Sequence, residues 1–210
     1  QPSPAHHKEG NRQGNDSFED GFLMIVLGLD VSTAITGYCL LDSTASAKDR
    51  LLLADAIVTS QIKDPYSKAT AVRCIFNDLK DQFDIDKIVV EENLQAFRRG
   101  LSSAKTLSTL ARFNGVVSFL AEDVIRAPVT MVNVNNARSL AGVKIDRKSD
   151  LSIKEQVLNC VKTRSEFQGF FWPTKTMKSG PRKGKTIDAP ECFDIADAAV
   201  VCLAAIKLEQ

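Results

Sequence analysis

The chain has 210 residues, 44% of them hydrophobic, which suits one domain with a genuine core. Its formal net charge of +1 excludes a chain-wide electrostatic signature for nucleic acid, so any basic surface has to be local. Cys39, Cys74, Cys160, Cys192 and Cys202 are scattered, odd in total and without a CxxC pair, which argues against a zinc site or a disulfide framework and for a reducing compartment.

Residues 1–23 differ in character from the rest. They hold His6-His7 and several Gly, Asn and Pro, with almost nothing apolar before Phe22-Leu23. They read as a disordered or vector-derived leader, with Met24 as the expected native start and 24–210 as the domain. No long apolar run suggests a membrane span, and the cytoplasm is the expected location.

From 24 to 30 the chain is a short continuous apolar run, the pattern of a central strand buried on both faces. Thr36-Gly37 reads as a turn-like break, 38–41 as a second strand returning beside the first, and 51–58 as a third. Ala71, Ile75 and Leu79, with Val72 and Phe76, give residues 67–82 a helical face. Ile88-Val89-Val90 is a further buried strand that ends in Glu91-Glu92. Residues 101–124 have helical periodicity, Pro128 stops it, and 129–134 reads as a fifth strand. Helical patterns follow at 135–141 and 150–161. The segment 167–186 reads as a long basic loop, with Pro173, Pro181, three glycines and no acid. The last helix opens on the start signal Asp188-Ala189-Pro190-Glu191 and stays apolar to Lys207. That order predicts an α/β fold, a mixed sheet flanked by helices.

Four acids stand out against this background. Asp30 and Glu91 each sit just past the last apolar residue of a strand, where ligands collect in open α/β sheets. Asp194 and Asp197 are three apart on a helix too apolar to be a solvated surface, so they share one face. Glu92 cannot share the role of Glu91, because successive strand side chains point to opposite faces. Two carboxylates about 4 Å apart repel by roughly 4 kcal/mol at an effective dielectric near 20. If the four converge they must take up protons or bind cations. Hard divalent ions with water and phosphate oxygens suit such a cluster, and phosphodiester hydrolysis is the chemistry that follows.

At these residues the chain resembles the RuvC-type Holliday-junction resolvases of the ribonuclease-H-like superfamily, over nearly everything from Met24 onward. Gly28-Leu29-Asp30 followed by Thr36-Gly37-Tyr38 resembles the family's first strand and hairpin, and Val90-Glu91-Glu92 its hydrophobic-Glu motif. Asp194-Ile195-Ala196-Asp197-Ala198 resembles the Asp-x-x-Asp-Ala of its last helix and is the most specific of the three. The resemblance implies a ribonuclease-H-like five-stranded mixed sheet. It also implies Asp30, Glu91, Asp194 and Asp197 as catalytic metal ligands holding two Mg²⁺ ions, for which Mn²⁺ could substitute. Lys154 lies where the resemblance places a basic residue for the scissile phosphate, with Lys148 and Arg138 as alternatives. Branched DNA, four-way junctions above all, would be the substrate, cut by a homodimer; the helix 101–124 is the expected element for part of its interface.

Val31-Ser32-Thr33 stands where bacterial members usually have Pro-Gly, which points to a divergent phage, plasmid, viral or organellar relative. The implied setting is therefore nucleoid-associated, organellar or a virus-infected cell. Leu94 and Phe97 are candidates for an apolar wedge in the junction centre or for ordinary packing. Arg98 and Arg99 could contact phosphate or be plain surface charge. Lys175, Lys178, Arg182, Lys183 and Lys185 make the best local polyanion patch, although a solubilising loop has the same look. Trp172 could stack on a base or anchor its loop to the core. Rival readings are an RNA- or hybrid-directed nuclease of the same superfamily and an inactive junction binder. A third, an actin-like ATPase or sugar-kinase fragment, would need two such domains around a nucleotide cleft.

Overall fold

The computed structural model describes residues 24–92 and 104–209. Leu94, Phe97, Arg98 and Arg99, like residues 1–23, lie outside the described residues. Five strands form the main sheet: β1 (Ile25–Val31), β2 (Ile35–Asp42), β3 (Leu51–Val58), β4 (Lys87–Glu92) and β5 (Val129–Asn133), in the order β3-β2-β1-β4-β5. The first three run antiparallel as a meander, while β1 pairs parallel with β4 and β4 with β5. This is the mixed sheet expected from the sequence.

Helices α1 (Pro65–Gln82) and α2 (Ala104–Ile125) cover one face, and α3 (Val134–Leu140), α4 (Ile153–Lys162) and α5 (Glu191–Leu208) the other. The alternation of side chains along a strand decides which face each residue serves. In β1, Leu27, Leu29 and Val31 pack with α1 and α2, so Val26, Gly28 and Asp30 face α5. In β4, Ile88 and Val90 join the α1–α2 side, which sends Val89 and Glu91 to the α5 side. Helix α5 is buried from Cys192 to Ile206 except at half-buried Phe193, which explains its lack of a polar stripe: the sheet lies on one side and α3 and α4 on the other. Among the described residues no helix is long and apolar enough to cross a membrane.

Three local expectations are corrected. Thr36-Gly37 is not a break but lies inside β2. The turn comes earlier, at Ser32, whose hydroxyl accepts from the Ile35 N–H at 3.0 Å and donates to the Ile35 carbonyl at 2.7 Å. Helix α4 begins at Ile153 rather than near Asp150, because Ser152 and Glu155 close a reciprocal capping box. Asp188 does not open α5. It ends a short strand and pairs with Lys162 at 2.7 Å, and the helix is entered from Pro190 without a side-chain cap.

The segment read as a loop over 167–186 contains a hairpin, β6 (Thr174–Thr176) with β7 (Thr186–Asp188), antiparallel. It follows a 3-10 turn at Ser165–Phe167. Strands of three residues leave too little periodicity to read from sequence. Trp172 takes the anchoring role: its ring lies 5.8 Å from Phe167 and 4.9 Å from Phe170, against the α5-side core.

Candidate active site

Asp30 is the penultimate residue of β1, and its cross-strand partner is Gly37 on β2. A Cβ built on Gly37 would come 2.0 Å from the backbone carbonyl oxygen of Asp194, and one on Gly28 2.4 Å from that of Ala198. Both glycines therefore remove side chains where α5 presses on the sheet backbone. That close approach brings the first turn of α5, with Asp194, onto the end of β1. The parallel register Leu29 to Val90 sets Glu91 on the strand beside Asp30, on the same face. Asp197 follows one helical turn after Asp194.

The four acids feel one another. Burial, then the charges of Glu91, Asp197 and Asp194, push the Asp30 carboxyl well above the usual carboxylate range. Burial, then Asp197, raises Glu91 to about 7, although Arg138 and Lys154 pull the other way. Asp194 is raised by burial against the opposing pull of Lys154. Asp197 is raised by burial against Arg138 and Lys154. Both helix acids are buried.

Two cations face them. Arg138 Nη2 lies 3.3 Å from Asp197 Oδ1, with its side chain only 17% exposed. Lys154 Nζ stands 3.7 Å from Asp194 Oδ1 and is 57% exposed, so it reaches the cluster from the solvent side. Lys148 does not join them: it is exposed on the α3–α4 connection, where its backbone N–H donates to Asp146. Lys175, Lys178, Arg182, Lys183 and Lys185 are exposed on and around the β6–β7 hairpin.

Asn114 was not singled out in the sequence. Buried on α2, it donates from Nδ2 to the backbone carbonyl of Glu91 at 3.2 Å and fixes the strand end that carries this acid. A polar residue inside the apolar stripe of α2 was the available signal. Gly28 and Gly37 were visible only as parts of motifs, although a glycine inside a strand often marks close backbone approach.

All the donors here are carboxylate oxygens, two buried and two half-buried, and mutually repelling, the kind of set that hard divalent cations take. As the side chains lie, Arg138 and Lys154 engage two of the acids. Among the described residues no group of three or more His, Cys, Asp or Glu is arranged to hold an ion in this conformation. The donor chemistry fits a divalent ion, and loading it would require the two ion pairs to yield.

No protein-family model matches the chain, and no curated protein matches it. Solved structures do. Thermus thermophilus RuvC superposes with a TM-score of 0.57 at 17% identity, over 89% of this chain and 96% of that one. T. thermophilus RuvC in complex with Holliday junction substrate gives 0.55 at 19%, over 89% and 95%. The yeast mitochondrial Holliday junction resolvase Ydc2 gives 0.53 at 16%, over 88% and 78%. With its mixed sheet, helical layers and element order, this chain has the fold of the RuvC-type Holliday junction resolvases.

Proposed function

We propose that the protein is a Mg²⁺-dependent, structure-selective endonuclease that resolves four-way DNA junctions by paired symmetric nicks. The observation that carries this reading is the meeting of Asp30, Glu91, Asp194 and Asp197, drawn from two strands and one helix, at the strand ends of a resolvase fold. Bound there, two Mg²⁺ ions would activate a water for in-line attack and stabilise the leaving 3′ oxygen, giving 5′-phosphate and ligatable 3′-hydroxyl ends.

The chain's own residues do the rest. Asp30, Glu91, Asp194 and Asp197 would be the ligands. Arg138, on α3, pairs with Asp197 on α5 and would hold that acid in the metal-free protein, releasing it when the ions bind. Lys154, the more exposed of the two cations, is placed to leave Asp194 for a phosphate oxygen once substrate arrives. Paired cuts need two sites, hence a homodimer. Exposed Val116 and Phe119 (43% and 64%) on α2 fit a role in its interface.

The test uses labelled four-way junction, linear duplex and RNA–DNA hybrid, each with Mg²⁺ or EDTA. Paired nicks in the junction alone, abolished by EDTA, are expected. Asp30→Asn should retain junction binding and lose nicking; cleavage by that variant at the wild-type rate would refute the role of Asp30. Cleavage of the hybrid in preference to the junction would replace this reading with the RNA-directed one.

A further inference from the structure

The β6–β7 hairpin carries chemistry that the acid cluster does not use. Between Phe167 and Thr186 lie Lys175, Lys178, Arg182, Lys183 and Lys185 and no acid, on a chain whose net charge is only +1. Positive charge is therefore concentrated here while the remainder is net acidic. Among the described residues none of these five forms an ion pair within 4 Å, although the Arg182 charge reaches Glu155 across the adjoining cleft, whereas Arg50, Arg138, Lys154, Lys162 and Arg164 are all paired.

The hairpin is also built. Its base is fastened by the Phe167, Phe170 and Trp172 rings and by the Ala189 N–H donating to the Pro173 carbonyl at 3.0 Å. The Cys192 thiol donates to the same carbonyl at 3.0 Å. Its tip is closed by the Gly184 N–H on the Met177 carbonyl at 2.9 Å and the Met177 N–H on the Lys185 carbonyl at 3.0 Å. Gly180 and Gly184 supply the positive φ angles, 78° and 82°, that this turn requires. Solubilising charge needs no such anchorage.

Its position links it to the acids. Lys175 and Arg182 rim a cleft of about 340 Å³ whose other walls include Glu155 and Phe193. Glu155 follows Lys154 in the first turn of α4, and Phe193 precedes Asp194 in the first turn of α5, so the cleft and the carboxylate cluster adjoin the same two helix starts, with neither the four acids nor Lys154 lining the cleft itself.

We propose that the β6–β7 hairpin is a phosphate-backbone clamp that grips the DNA arm leaving the cleavage centre. The proposal rests on the nuclease reading above and adds a contact surface to it. Backbone phosphates, one negative charge per 3.4 Å of strand, are the ligands that a row of unpaired lysines and an arginine would take, without base readout.

The test compares wild type with a variant in which Lys175, Lys178, Arg182, Lys183 and Lys185 are all changed to Gln. Junction binding is measured in EDTA from 50 to 300 mM salt, and nicking in Mg²⁺. Each phosphate contact contributes about 0.9 to the slope of log affinity against log salt, so loss of roughly three contacts lowers the slope by about 3 and affinity near 100 mM salt by on the order of 100-fold. The cleavage defect should appear in KM with kcat retained. Replacing the four lysines by Arg should preserve both affinity and slope, and the milder pair Lys178→Gln with Lys183→Gln should lower the slope by about 1 to 2 with the unfolding midpoint unchanged. Wild-type affinity and salt slope in both Gln variants, while the wild-type protein cuts junctions, would overturn the clamp and leave the nuclease intact. Failure of the wild-type protein itself to bind or cut branched DNA would instead remove the reading beneath it.

Discussion

Glu91→Gln should stabilise the metal-free protein at alkaline pH. In the folded chain the Glu91 carboxyl is raised from 4.5 to about 7, by burial first and the Asp197 charge second. The folded state thus holds a proton that the unfolded state has released between those values, and stability falls as pH rises through the window. Below about pH 4.5 both states are protonated and the cost vanishes; above about 7 it is fully present. At 1.36 kcal/mol per pH unit the cost is roughly 3 kcal/mol, and Gln, neutral throughout, removes it. For a domain of this size that is roughly 6–12 °C in Tm. The assay is thermal and urea unfolding of both proteins in EDTA at pH 4.5 and pH 8. The expected result is near-equality at the lower pH and a more stable variant at the higher. A variant less stable than wild type at pH 8, or an equal difference at both pH values, would show that Glu91 sits in no repelling cluster.

Other outcomes follow from the same geometry. Adding Mg²⁺ at about one hundred times its Kd should stabilise wild type by about 2.7 kcal/mol at pH 8, and EDTA should reverse it; the same response in Asp30→Asn would place the ion elsewhere. Gly37→Ala puts a methyl 2.0 Å from the Asp194 carbonyl oxygen, against backbone that cannot rotate away. A loss of about 1–3 kcal/mol in urea unfolding is expected, with a larger loss of nicking because the α5 acids are displaced. Wild-type behaviour on both counts would contradict the packing of α5 on β2.

Local pattern was enough to find the parts. An apolar run ending in an acid marks Asp30 and Glu91 as strand-end residues, and the three-residue spacing sets Asp194 and Asp197 on one face of an apolar helix. The alternation that buries Leu29 and Val90 toward α1 and α2 also dictates that Asp30 and Glu91 look the other way. These are short-range consequences of backbone geometry, so the amino-acid order alone determined them. Strand pairing, helix seating and the partners of buried charges are long-range, and only the tertiary structure decided them. Gly28 and Gly37 become meaningful once α5 lies on them, and Arg138 becomes the partner of Asp197 only when α3 packs beside α5. Asn114 reaches Glu91 from a helix that follows it, and the cationic segment becomes a hairpin because three aromatic rings hold its base. For the two glycines, Arg138 and Asn114 the deciding energy lies in a contact between residues far apart along the chain, and no window of neighbouring residues contains it.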